Sequence, residues 1–181
     1  MNDLINPKRN GKIILILVVV IIIGIIIAIS MNMGLFNQKF SKHMVLTQIS
    51  DKNREDIFEA MVDVENYPFV LPQNISEVKI INQTNNVIFA EETVSEFGVK
   101  IKLLVKHEIF QPKEHIIEIL DGYAKGTKII ITFSEIDSKT TISSDVSLIT
   151  SGPVNSIIFL MGQSHFESAY ASIIRAFEDS L

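Results

Sequence analysis

His107 is the residue most suited to chemistry, because its imidazole interrupts an apolar alternation, Val105 before it and Ile109 after, that belongs to one face of a strand. Turned inward, it would be desolvated and would need a hydrogen-bonding partner. As a functional group it could bond a carbonyl or hydroxyl of a bound ligand, with Tyr123 or Tyr170 beside it. With Asp121 or Glu118 it could act as acid and base. The competing reading is a satisfied core histidine, or one at a strand end near solvent. His43, His115 and His165 share no ligand spacing with it, so no metal site is expected. Glu91 and Glu92 read as strand-edge charges facing water.

Other chemistries have little support. The chain has no cysteine, which removes disulfides and thiolate nucleophiles or ligands, and leaves the redox compartment undecided. It has no G-x-S-x-G elbow, no phosphate-cradling glycine loop and no H-E-x-x-H pair. No catalytic residue set and no cofactor is predicted. From Met31 onward the chain carries 13 Lys+Arg and 20 Asp+Glu, a formal charge of −7. Nucleic acid is therefore not an expected partner.

The elements that must position these residues follow from periodicity. Val45, Thr47 and Ile49 alternate in a short strand over His43–Ser50. Asp51 or Asn53 can cap a helix with Ile57, Phe58, Met61 and Val62 on one stripe. Tyr67-Pro68 breaks regular helix, so a short helical piece or turn is expected over Asp63–Leu71. From Ile75 to Thr150 the chain reads as an antiparallel meander, with turns at 82–86, 96–98, 111–113, 122–126 and 137–139. Its clearest strand is Val99–Phe110, with Val99, Ile101, Leu103, Val105, His107 and Ile109 on one face and Lys100, Lys102, Lys106 and Glu108 on the other. Ile117 and Ile119 from Glu114–Tyr123, Ile129, Ile131 and Phe133 from Lys128–Ile136, and Ile142, Val146 and Leu148 extend the apolar face. Alternation of this kind suits a sheet covered on one side only. The cover is a helix beginning near Val154, with Phe166, Ala169, Tyr170, Ile173, Phe177 and Leu181 on one face and Gly162 able to bend it.

Ahead of all this, Ile13–Phe36 runs 24 positions without a charge. At about 1.5 Å per residue it would span a hydrocarbon core of about 30 Å, which predicts a transmembrane anchor. Lys8, Arg9 and Lys12 before it, against Lys39 and Lys42 after it, favour a cytoplasmic leader over residues 1–12 and an extracytoplasmic domain over 37–181. Ala28-Ile29-Ser30 would suit signal cleavage, but the apolar run exceeds the usual signal core of about 7–15 residues, which favours retention. Two sequons, at Asn74 and Asn82, read as turn chemistry unless the domain enters a glycosylating compartment. About 140 residues remain for one domain with one core.

The order strand, two short helices, six strands and long helix resembles the helix-grip fold of the START-like (SRPBCC) superfamily, an α+β class. Asp63-Val64-Glu65-Asn66-Tyr67-Pro68 followed by Leu71-Pro72 resembles the "D-x-E-x-Y-P…L-P" signature of its polyketide cyclase/dehydrase and coenzyme Q-binding branch. Leu120-Asp121-Gly122-Tyr123 stands where those relatives carry "x-x-G-P-F". The following "W-x-F" tryptophan is missing, with Ile131 and Phe133 nearest. The resemblance covers residues 40–181 and implies a curved sheet wrapped around the last helix, with a cavity for an apolar small molecule between them. Its expected ligand-binding residues are Tyr67, Ile101, Leu103, Val105, His107, Ile117, Ile119, Tyr123, Ile131, Phe133, Phe166 and Tyr170, each of which could equally fill a core. The function expected is a membrane-anchored carrier of a quinone, isoprenoid or polyketide-like molecule. The alternatives are a protein-interaction module, since some relatives engage ribosomes, and a cyclase or dehydratase. The apolar run Ile157–Met161 is either a lipid-dipping gate or the buried start of the cover helix.

Overall fold

A computed structural model describes residues 39–96, 99–151 and 161–181. The predicted anchor Ile13–Phe36, the basic leader and most of Ile157–Met161 lie outside the described residues. Among the described residues no helix is long and apolar enough to cross a membrane. The elements are β1 (Lys39–Ser50), α1 (Arg54–Val62), a 3-10 turn (Val64–Asn66), α2 (Tyr67–Val70), β2 (Ile75–Gln83), β3 (Val87–Glu96), β4 (Val99–Phe110), β5 (Glu114–Asp121), β6 (Lys128–Ile136), β7 (Lys139–Ser151) and α3 (Gln163–Asp179). The seven strands form one antiparallel sheet in the order β1-β7-β6-β5-β4-β3-β2.

Local chemistry explains the boundaries. Asn53 caps α1, its Oδ1 accepting from the Asp56 amide at 2.8 Å, and Glu55 and Asp56 add negative charge at the positive end of the helix. Pro68 does not break α2. It sits in the first turn, where a missing amide proton removes no helical bond. The Tyr67 hydroxyl donates to the Met61 carbonyl at 2.8 Å, tying α2 to the last turn of α1.

The core lies between the concave face of the sheet and the three helices. Ile57, Phe58 and Met61 of α1 meet Phe133, Ile131 and Ile142 of the sheet and Tyr170, Ile174 and Phe177 of α3. Phe58 is fully buried, and its ring stands edge-on to Phe133 at 5.0 Å. Burial of each such side chain contributes about 1.5–3 kcal/mol.

The structure settles which face of β1 is buried and corrects two expectations about the C-terminal helix. The face of β1 bearing Val45, Thr47 and Ile49 is the exposed one, with Val45 54% and Ile49 65% accessible, while Met44, Leu46 and Ser50 point inward. β1 is an edge strand, so β-branched residues on its outer face satisfy strand propensity without being buried. Gly162 is not a bend inside a helix. It is the extended residue that precedes α3, where its lack of a side chain carries no helix-interior cost. Leu181 lies beyond α3 and is half exposed, and Ala169 also faces outward, so the buried stripe of the helix is Tyr170, Ile174 and Phe177.

Candidate functional site

Three strands bring a polar chain into the apolar interior. The β3–β4 register sets Ile88 opposite His107 and Glu92 opposite Leu103, and the β4–β5 register sets His107 opposite Ile117 and Ile109 opposite His115. Glu92, His107 and His115 therefore share the concave face. His107 Nε2 lies 2.9 Å from Glu92 Oε1, and His107 Nδ1 lies 3.0 Å from His115 Nε2. The two imidazoles are stacked, 29° apart and 5.2 Å between centroids. Both histidines are fully buried and Glu92 is 6% exposed. Glu92 is thus no water-facing charge, and His115 is not unrelated to His107.

The rest of the surroundings is aromatic. The Tyr67 ring stands edge-on to His107 at 6.1 Å and to Phe177 at 5.8 Å. Burial holds the Tyr67 phenol well above its ordinary range, and the carboxylates of Glu92 and Asp63 add to this. With its hydroxyl committed to Met61, Tyr67 meets His107 through its ring alone. Burial also pushes the Tyr170 phenol up to about 12, while its oxygen accepts from Ser144 Oγ at 2.8 Å. For His115 burial lowers the pKa to about 3, so the imidazole is neutral near pH 7. Its Nδ1 is buried with no hydrogen-bond partner among the described residues. An unmet buried polar atom of this kind costs about 1–3 kcal/mol.

The partners expected for His107 lie elsewhere. Glu118 faces out and pairs with Lys106 at 3.6 Å, Asp121 is exposed at the end of β5, and the Tyr123 carbonyl accepts from Ser151. Of the expected ligand-binding set, Leu103, Val105, His107, Ile131, Phe133, Tyr67 and Tyr170 are buried, while Ile101, Ile117, Ile119, Tyr123 and Phe166 are only partly covered. Among the described residues α3 makes its main contacts with β1 and α1, and Ile101, Ile117 and Ile119 of β4 and β5 are only partly covered.

Hairpin arithmetic already held the signals for Glu92 and His115. A turn centred on Pro112 makes residues summing to 224 partners, which puts His107 and His115 on one face. Partners in β3 and β4 sum to 195, so even positions of β3 face the same way as odd positions of β4, and Glu92 shares a side with Ala90, Ile88 and His107. Among the described residues no group of three acidic or imidazole side chains converges as a metal site. Glu92, His107 and His115 follow one another in line, each bonded to the next.

No family model matches the chain, and no curated protein does. Solved structures match with low identity. The protein TTHA0849 from Thermus thermophilus superposes with a TM-score of 0.64 at 10% identity, over 77% of this chain and 99% of its own. A START superfamily protein from Mycobacterium smegmatis gives 0.60 at 12% identity, over 76% and 95%. The Zhui aromatase/cyclase from Streptomyces sp. R1128 gives 0.58 at 10%, over 77% and 87%. A seven-stranded antiparallel sheet closed by a C-terminal helix, matched along nearly the full length of START-like structures, gives residues 39–181 the helix-grip fold.

Proposed function

We propose that this helix-grip domain binds an apolar, lipid-like small molecule on the concave face of its sheet and presents or shields it beside a bilayer. The observation that carries the reading is the uneven cover of that face. Ile101, Ile117 and Ile119 remain partly accessible on β4 and β5, although they alternate with outward residues and point to the same side as the buried Leu103 and Val105. Partly covered apolar side chains on an inner wall, next to a few polar groups, are the usual composition of a small-molecule site. Quinones, isoprenoids and polyketide-like molecules fit this chemistry.

The 24-residue uncharged run supports the bilayer part of the proposal. A tether raises the effective concentration of a membrane-dissolved ligand without adding contacts. The flanking charges favour an extracytoplasmic domain, which protease protection in sealed vesicles tests. Native mass spectrometry of the full chain released from a mild detergent tests the carrier itself. A retained lipid or quinone is the expected result, and repeated recovery of empty protein that takes up no offered isoprenoid would remove the reading.

One observation favours a second reading, a cyclase or dehydratase. Glu92, His107 and His115 form a hydrogen-bonded carboxylate–imidazole–imidazole sequence of the sort that moves protons. Under that reading His107→Ala abolishes turnover of an offered polyketide-like substrate, whereas a carrier loses only part of its affinity.

A further inference from the structure

The two contacts of the buried chain admit one pattern in which each imidazole carries a single proton and the Glu92 carboxylate accepts. In that pattern His107 Nε2 donates to Glu92 Oε1. A neutral His107 then offers only a lone pair at Nδ1. That lone pair faces His115 Nε2 at 3.0 Å, so His115 must carry its single proton there. Two hydrogen bonds need two protons, and two neutral imidazoles supply them. What remains is His115 Nδ1, a bare lone pair in a fully buried side chain with no partner among the described residues. The polarity of the whole chain is fixed by Glu92, and its free end can accept but not donate.

From this geometry we infer that His115 Nδ1 is the acceptor for a hydroxyl on the bound molecule, so that the site selects apolar alcohols and phenols over quinones, ketones and ethers. The inference rests on the proposed apolar-ligand reading and narrows its substrate class. A carbonyl or ether oxygen placed against the lone pair would leave two acceptors facing each other, whereas an O–H satisfies the buried nitrogen. Apolar surface for the rest of the molecule is close at hand. Ile109 and Ile131 flank His115 in the ladder, and Ile117 and Ile129 beside them are only partly buried. Burial keeps His115 neutral near pH 7, so the lone pair is available there. If a proton is abstracted, it can pass to Nδ1 of His115 while the Nε2 proton moves to His107 Nδ1 and the His107 Nε2 proton moves to Glu92. The chain then ends with two neutral imidazoles and a neutral carboxylic acid, with the proton donor left as an alkoxide or phenolate.

The test uses the full chain, labelled with 15N-histidine, in phosphatidylcholine nanodiscs. Only four histidines contribute, so the nitrogen spectrum is sparse. The probes are 2-naphthol and 2-methoxynaphthalene, similar in shape but only one with a donor. His115 is expected as the Nε2–H tautomer with Nδ1 unprotonated. Its Nδ1 signal should move saturably with 2-naphthol, at an affinity about tenfold or more above that of the ether, the discrimination one well-formed hydrogen bond provides. His115→Phe should erase the preference, while Glu92→Gln, whose amide oxygen still accepts from His107, should keep it. A proton on His115 Nδ1 overturns the inference. Equal, saturable responses to both probes also overturn it but leave the apolar-ligand reading standing, and no saturable response to either removes both.

Discussion

The two faces of β3, β4 and β5 carry charge on alternate residues of the same strands and use it in opposite ways. On the convex face Lys102 pairs with Glu91 at 2.8 Å, and Lys106 pairs with Glu108 and Glu118. These contacts stay in water, where solvent screens them and long side chains lose entropy on pairing. On the concave face Glu92 and His107 lie 2.9 Å apart with almost no exposure, and a third polar group completes the row. Deprived of water, that row has only itself to satisfy its donors and acceptors. One residue of offset along a strand separates an ion pair that solvent could replace from a hydrogen bond that nothing else can.

The contrast can be broken most directly at its buried end. Glu92→Leu leaves the His107 N–H unpaired in the core and should cost about 4 kcal/mol in chemical denaturation, with Glu92→Gln losing far less. If the two variants are equally stable, the buried row is not held by hydrogen bonding. Acidification gives the next largest effect. The folded pKa of His115, about 3, lies below its ordinary 6.5, so the unfolded chain takes up the proton first. The stability that His115 contributes is therefore complete above about pH 6.5 and is lost as pH falls toward 3. Between pH 7 and 4 the wild type should lose about 3 kcal/mol more than His115→Phe. A smaller cost is expected at the edge of the concave face. Gly122 has φ +101°, and an added Cβ would lie 2.6 Å from the Leu103 side chain and 3.1 Å from the Lys102 carbonyl, so Gly122→Ala should cost about 2 kcal/mol. On the convex face Lys102→Ala should leave the unfolding midpoint where it was, because that pair is open to solvent.

Much of the sheet was legible because its turns and alternation agree. The breaks at 84–86, 111–113 and 137–138 coincide with Asn-, Pro- and Asp-containing segments, and the inward face of β4 follows from one period-2 run. β1 was harder, since Met44 and Leu46 on one face and Val45 and Ile49 on the other give two apolar phases. Only the tertiary setting, an edge strand beside β7, decides between them. In the site, His107 stood out because it interrupts an apolar series. His115 and Glu92 did not, since each follows another acidic residue, Glu114 or Glu91, and looks like part of a polar turn or edge. Composition marks what is unusual for its neighbours along the chain, whereas a buried polar row is defined by neighbours across it.

β1 is paired with β7 at all twelve of its positions, from Lys39 opposite Ser151 to Ser50 opposite Thr140. The first strand of the sheet in chain order thus waits for the last one before its ladder can form. Contacts so distant along the chain raise contact order and slow folding, because loop closure must precede the gain from pairing. Until β7 is synthesised, both long edges of β1 stay open to other extended segments, and the nascent protein passes through its most aggregation-prone interval late in translation.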